Sequence, residues 1–128
     1  MFREFYLLIF IASSIMLISS CRKDGHARNE NRSVTLNVTI NAGDVYQLNL
    51  AQYGDADDLA MISKQAAVYS ISEIGKNNTG NNIYKFSTVV GSKTGGTGTD
   101  QVVLKVYEPE GRCRNHDETN VTINFTIL

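Results

Sequence analysis

Val34-Thr35-Leu36-Asn37-Val38-Thr39-Ile40 alternates apolar and polar residues without a break. Successive side chains of a β-strand point to opposite faces, so Val34, Leu36, Val38 and Ile40 share the inner face of a half-buried strand. Asn41-Ala42-Gly43-Asp44 is turn chemistry. Val45 to Leu50 resumes the alternation with Tyr46, Leu48 and Leu50 inward, so the first two strands either form a hairpin or are joined across two sheets.

Four more strands read outward from this pair. Val68 to Ile74 is apolar and β-branched, and it ends in the polar run Gly75 to Asn82. Ile83 to Val90 centres on Tyr84 and Phe86. The Gly91 to Asp100 segment carries four glycines and reads as an exposed loop, after which Gln101 to Tyr107 turns Val102, Leu104 and Val106 inward. Asn120 to Leu128 closes the chain with Val121, Ile123, Phe125 and Ile127 on one face. Asp58 to Ala67 suits either a short strand, through Leu59, Met61 and Ile62, or a helical turn, through Ala60, Lys64, Gln65 and Ala66. Taken as a strand, it brings the count to about seven. No segment sustains a 3.6-residue period, so the expected fold is an all-β sandwich of about seven antiparallel strands, Ig-like in its count and turn spacing.

The order of segments also resembles bacterial Ig-like and cadherin-like modules. The resemblance rests on Gly54-Asp55-Ala56-Asp57-Asp58-Leu59-Ala60, on Ile83-Tyr84-Lys85-Phe86, on Gly98-Thr99-Asp100 opening Gln101 to Val106, and on the closing strand Asn120 to Leu128. It covers most of the chain after residue 32. Two departures stand out. There is a single copy, and the last loop reads Glu110-Gly111-Arg112-Cys113-Arg114-Asn115-His116-Asp117-Glu118 where such modules carry a Gly/Asp-rich turn.

The first 20 residues carry Arg3, an apolar stretch from Phe5 to Ile18 and the small residues Ser19 and Ser20, which is the layout of a secretion signal. A transmembrane helix needs about 20 consecutive apolar residues. The stretch here has fourteen, interrupted by Ser13 and Ser14. Leu17-Ile18-Ser19-Ser20-Cys21 resembles the lipobox of bacterial lipoproteins, which implies cleavage between Ser20 and Cys21, a diacylglyceryl thioether on the Cys21 sulfur and an acylated new amino terminus. Two or more acyl chains, at ~0.8 kcal/mol per buried CH₂, anchor a domain durably. Residues 21–32 lack apolar periodicity and read as a lipidated tether with a reach on the order of 20 Å. The expected division is signal 1–20, tether 21–32 and β-sandwich 33–128.

Arg22 stands where lipoproteins kept in the inner membrane carry Asp, so the resemblance points to the outer membrane, facing the surface or the periplasm. Cys21-Arg22-Lys23-Asp24 is also similar to the charged post-cysteine signals that send lipoproteins of Bacteroidota to the cell surface. Without the signal the chain has 108 residues and a formal charge of −1, which fits one domain and gives no basic footprint for nucleic acid. With Cys21 taken by lipid, Cys113 has no intramolecular partner, and the core must hold the domain without a disulfide.

Asp55, Asp57 and Asp58 place three carboxylates in four residues. Calcium takes six to eight oxygens, so a site there expects help from Asp100. The bland alternative is that Asp55 caps the turn. Cys113 and His116 offer two zinc ligands where four are needed, and no catalytic set converges in the sequence. The Arg112, Cys113, Arg114, His116 and Asp117 loop reads as a charged patch or partner-binding tip. Tyr46, Tyr53, Tyr69, Tyr84 and Tyr107 fall mostly on strand positions, which suits core or sheet surface better than sugar stacking. The expectation is a non-enzymatic envelope lipoprotein that binds or presents a protein or glycan ligand. The alternative is a structural subunit, self-associating through an edge strand such as Asn120 to Leu128.

Overall fold

The computed structural model describes residues 31–89, 98–109 and 117–128. Among the described residues seven strands form two sheets: β1 (Asn31–Ile40), β2 (Tyr46–Asn49), β3 (Leu59–Lys64), β4 (Ile71–Lys76), β5 (Asn82–Ser87), β6 (Gly98–Tyr107) and β7 (Glu118–Ile127). One sheet has the order β1-β7-β6-β3 and the other β2-β5-β4. They face each other as a β-sandwich. β1 and β2 are thus joined across the sheets, and the ambiguous segment after Asp58 is the strand β3.

The alternating residues read inward are inward. Tyr84, Phe86, Val102, Leu104, Val121 and Ile123 are fully buried, with Leu48, Leu50, Val106, Phe125 and Ile127 nearly so. Phe125 joins the two sheets, stacking on Phe86 with ring centroids 4.0 Å apart and meeting Tyr46 edge-on at 5.5 Å. Such aromatic pairs add ~0.5–1.5 kcal/mol beyond the area they bury.

Several boundaries and one direction differ from the sequence expectation: β6 takes in Gly98 to Asp100 from the segment read as a loop, β5 stops at Ser87, β7 begins at Glu118 and β4 runs on to Lys76. β1 takes in Asn31 and Arg32, which composition assigned to the tether. β2 stops at Asn49, because the Asn49 side chain accepts the Ala51 N–H at 3.0 Å and caps a 3-10 turn over Leu50–Tyr53. β4 starts at Ile71 instead of Val68, because the Asp100 carboxylate takes the N–H groups of Ala67 and Val68 at 2.9 to 3.0 Å and withholds them from any ladder. The sandwich is also not wholly antiparallel. β1 runs parallel to β7, in register from Asn31 opposite Glu118 to Ile40 opposite Ile127. Both strands enter from the same end.

The directions give the sandwich two distinct ends. The entry of β1, the 3-10 turn, residues 54–58, the turn at 77–81 and the two flanks of the β6–β7 connection lie at one end. The turn at 41–45, the β3–β4 crossover, residues 88–89 and Leu128 lie at the other.

Candidate functional site

The entry end carries a polar cleft of about 240 Å³ lined by Arg32, Tyr53, Asp55, Asp58, Glu108 and Asp117, with Gln52, Gly54, Val106 and Thr119 completing its walls. Three separate parts of the chain meet there. Residues 50–58 contribute one wall. The two flanks of the β6–β7 connection, tied by the Glu108 N–H donating to the Asp117 carbonyl at 3.4 Å, contribute another, and β1 contributes Arg32.

The acidic turn is built around Asp58, which is 7% exposed. Its Oδ2 accepts the Asp55 N–H at 2.8 Å, and its carbonyl accepts the Asn82 amide at 3.0 Å. Gly54 makes room for this carboxylate: a Cβ there would overlap Asp58 Oδ2 and sit 2.7 Å from Val106 Cγ1. Asp58 Oδ1 is buried with no hydrogen-bond partner among the described residues. One carboxylate oxygen from each of Asp55, Asp57 and Asp58 falls within 4.8 Å of the others. The sequence had the capping roles reversed, since Asp58 caps the turn through the backbone of Asp55.

Asp100 does not join this group. It opens β6, whereas Asp58 precedes the β3 residue paired with Tyr107 at the far end of β6. Seven strand residues at ~3.3 Å each separate the two ends by roughly 20 Å. Asp100 instead secures the β3–β4 crossover, accepting from Ala67, Val68 and Gln101. The calcium expectation therefore narrows to Asp55, Asp57 and Asp58, with Glu108 and Asp117 on the same cleft. The orphaned Asp58 oxygen fits such a cation.

Cys21, Arg112, Cys113, Arg114 and His116 lie outside the described residues. Asp117 is described and lines the cleft, so the flanks of the β6–β7 connection belong to the entry end. Tyr84 is buried and donates or accepts at the Ser72 hydroxyl, 2.8 Å away, which in turn bonds Gln65. Burial pushes the Tyr84 phenol up to about 12, against the lowering effect of the Ser72 bond. Tyr46 is raised for the same first reason, desolvation. Tyr53 faces the cleft and Tyr69 is exposed at the opposite end, beside the chain positions that also expose Val45, Val89 and Leu128.

The sequence marks Asn37, Asn120 and Asn124, each opening an Asn-x-Thr triplet, as polar-face strand residues, but not the hydrogen-bond ladder that crosses the outer face of the four-stranded sheet. Lys64 Nζ donates to Gln101 Oε1 at 2.8 Å, Gln101 Nε2 to Asn124 Oδ1 at 2.8 Å, and Asn124 Nδ2 to Asn37 Oδ1 at 3.1 Å. This ladder crosses all four strands and ends on Asn37 at the sheet edge. Asn37 and Asn124 belong to the ladder, whereas the Asn120 amide donates to Glu118 at 3.2 Å.

The chain matches no protein-family model and no curated protein. Among solved structures it is similar to a chain of "Structure of PbICP-C in complex with falcipain-2", with 12% sequence identity and a TM-score of 0.46, over 81% of this chain and 95% of that one.

Proposed function

We propose that this chain is a non-enzymatic binding module of the cell envelope, held on the outer membrane by lipid on Cys21, with an Ig-like sandwich as its working domain. The Ig-like reading is supported by the strand neighbours β2-β5-β4 and β7-β6-β3, which correspond to the B-E-D and G-F-C groupings of that fold, with β1 laid beside the last strand. The observation that carries binding is the cleft at the entry end. Three parts of the chain that are distant in sequence converge there on a polar concavity with an aromatic wall, the usual construction of a recognition site on a rigid scaffold.

Asp55, Asp58, Glu108 and Asp117 outnumber Arg32 on the lining, so the cleft favours a basic group, such as a Lys or Arg side chain of a protein ligand, over a neutral glycan. A photo-crosslinking amino acid at position 53 in intact cells tests this. A specific adduct from residue 53 that is absent with the probe at Val103, and that disappears in Asp55→Lys with Glu108→Lys, is the expected result. Equal labelling from both positions rejects the cleft as the site.

A second reading, a structural subunit that associates through an edge strand, is favoured by one observation: the outer edge of β1 is unpaired among the described residues. The terminal segment is not that edge, because β7 lies between β1 and β6 with both sides paired.

A further inference from the structure

We infer that β1 is a self-complementary docking edge and that its occupant is β1 of a second copy, antiparallel about a two-fold axis through Asn37. The inference rests on the edge-strand reading and names the strand, the partner and the register.

Among the described residues four strands form sheet edges, and three of them are blunted. β3 has a register shift between Ile62 and Lys64, β2 is four residues long, and β4 carries Glu73, Gly75 and Lys76. Short, bulged or charged edges are how sheets avoid pairing with other chains. Beyond Arg32 at its start, β1 has none of these devices. It runs ten residues, pairs with β7 without a register shift, and from Ser33 to Ile40 contains no charge and no proline.

Its backbone presents a known set of groups to the open side. The Leu128 N–H donates to the Ile40 carbonyl at 2.9 Å, and the Ala42 N–H donates to the Leu128 carbonyl at 3.1 Å. The amide and carbonyl of one strand residue point the same way and alternate along the strand, so the even residues serve β7. Thr35, Asn37 and Thr39 therefore aim their N–H and C=O groups outward.

The sequence of β1 is a palindrome in character about the same residue. Reading outward from Asn37 in either direction gives an apolar residue, a threonine and an apolar residue: Val38, Thr39 and Ile40 one way, Leu36, Thr35 and Val34 the other. An antiparallel copy centred on Asn37 sets Asn37 opposite Asn37, Thr35 opposite Thr39 and apolar residues opposite apolar residues, and exchanges about six backbone hydrogen bonds. A one-residue slip would set Thr and Asn against apolar neighbours and is disfavoured.

The chain already pairs this pattern with itself. Val34-Thr35-Leu36-Asn37-Val38-Thr39-Ile40 lies in register on Val121-Thr122-Ile123-Asn124-Phe125-Thr126-Ile127, with Asn against Asn and Thr against Thr. The amide ladder from Lys64 ends at Asn37, where the two-fold would continue it into the second copy. The result is a closed dimer with one sheet running through both copies.

The test uses the full chain in its own membrane with Cys113→Ser. Residues facing each other in a hydrogen-bonded antiparallel pair lie about 5.5 Å apart at Cα, within disulfide reach. Asn37→Cys should form a covalent dimer under mild oxidation. Thr35→Cys and Thr39→Cys should each remain monomeric alone and cross-link when the two are expressed together. Thr126→Cys, on the neighbouring interior strand, should not cross-link. Separately, Asn37→Lys, checked for an unchanged strand signal in circular dichroism, should lose the dimer in native electrophoresis, because two lysines then face each other.

An adduct of Asn37→Cys with a different protein overturns self-pairing but keeps the edge-strand reading. No adduct of either kind overturns both. Cross-linking of Thr35→Cys or Thr126→Cys alone, as strong as that of Asn37→Cys, overturns the register.

Discussion

Asp58 has one satisfied carboxylate oxygen and one without a hydrogen-bond partner among the described residues, and Gly54 leaves room for it. Gly54→Ala should lower stability by ~1–3 kcal/mol through overpacking, and Asp58→Ala by about the 1–3 kcal/mol expected when a buried hydrogen-bond partner is lost. Because the new methyl collides with the very carboxylate that Asp58→Ala removes, the double variant should lose less than the sum of the two, as read from urea midpoints. A cation bound to the turn must stabilise the folded state that binds it. Calcium should therefore raise the thermal midpoint of the wild type and leave that of Asp58→Ala unchanged; a wild-type midpoint indifferent to both calcium and chelator rejects the site.

Tyr84 gives a pH-dependent prediction at the same scale. Its folded-state value is raised to about 12 from 10.0, so the stabilisation held by the neutral phenol is complete below pH 10 and is lost as pH rises toward 12. Tyr84→Phe should be less stable at neutral pH by about 1 kcal/mol, having lost the Ser72 bond, yet should lose less further stability above pH 10. Alkaline denaturation of the two proteins side by side checks this.

Among the elements, β6 and β7 are the most completely paired, and one ion pair bridges their outer face. Lys105 Nζ lies 2.9 Å from Glu118 Oε2. This bond holds the Glu118 carboxyl below its usual value of 4.5, with the Asn120 amide assisting. A depressed carboxylate stabilises the fold above its unfolded value and ceases to do so as pH falls through the folded one. Both side chains are about a third exposed, so the pair contributes on the order of 0.5 kcal/mol. Lys105→Met should narrow the stability difference between pH 6 and pH 3, most visibly at low salt; an unchanged acid profile would show the pair contributes nothing.

Strand identity was legible wherever alternation ran for five or more residues, as in Val34 to Ile40 and Val121 to Ile127. A period of two is a local property that survives any tertiary arrangement. The edges of β2 and β4 were not legible. They depend on side chains that divert backbone donors: Asn49 acts from two residues away in sequence, but Asp100 acts from more than thirty.

At the scale of the whole molecule, the proposed anchor and the described domain meet at one end. β1 begins at the end of the sandwich where the cleft lies, so in the proposed lipoprotein the anchor and the cleft share the side of the domain at which the chain enters. Cys21→Ala should abolish incorporation of a fatty-acid analogue and release the chain from the membrane fraction. Persistent labelling would reject the lipobox reading.

The sequence by itself determined the all-β class, which residues of each long strand face the core, and the acidic turn at 55–58, because each is encoded by residues close together along the chain. Only the tertiary structure decided that β1 lies parallel to β7, that β7 is interior and β1 is an edge strand among the described residues, and that Asp100 stands at the opposite end from Asp58. Sheet order and strand direction arise from pairing between segments as much as 87 residues apart, as Asn37 and Asn124 are. Nothing in the local pattern of either segment names its partner.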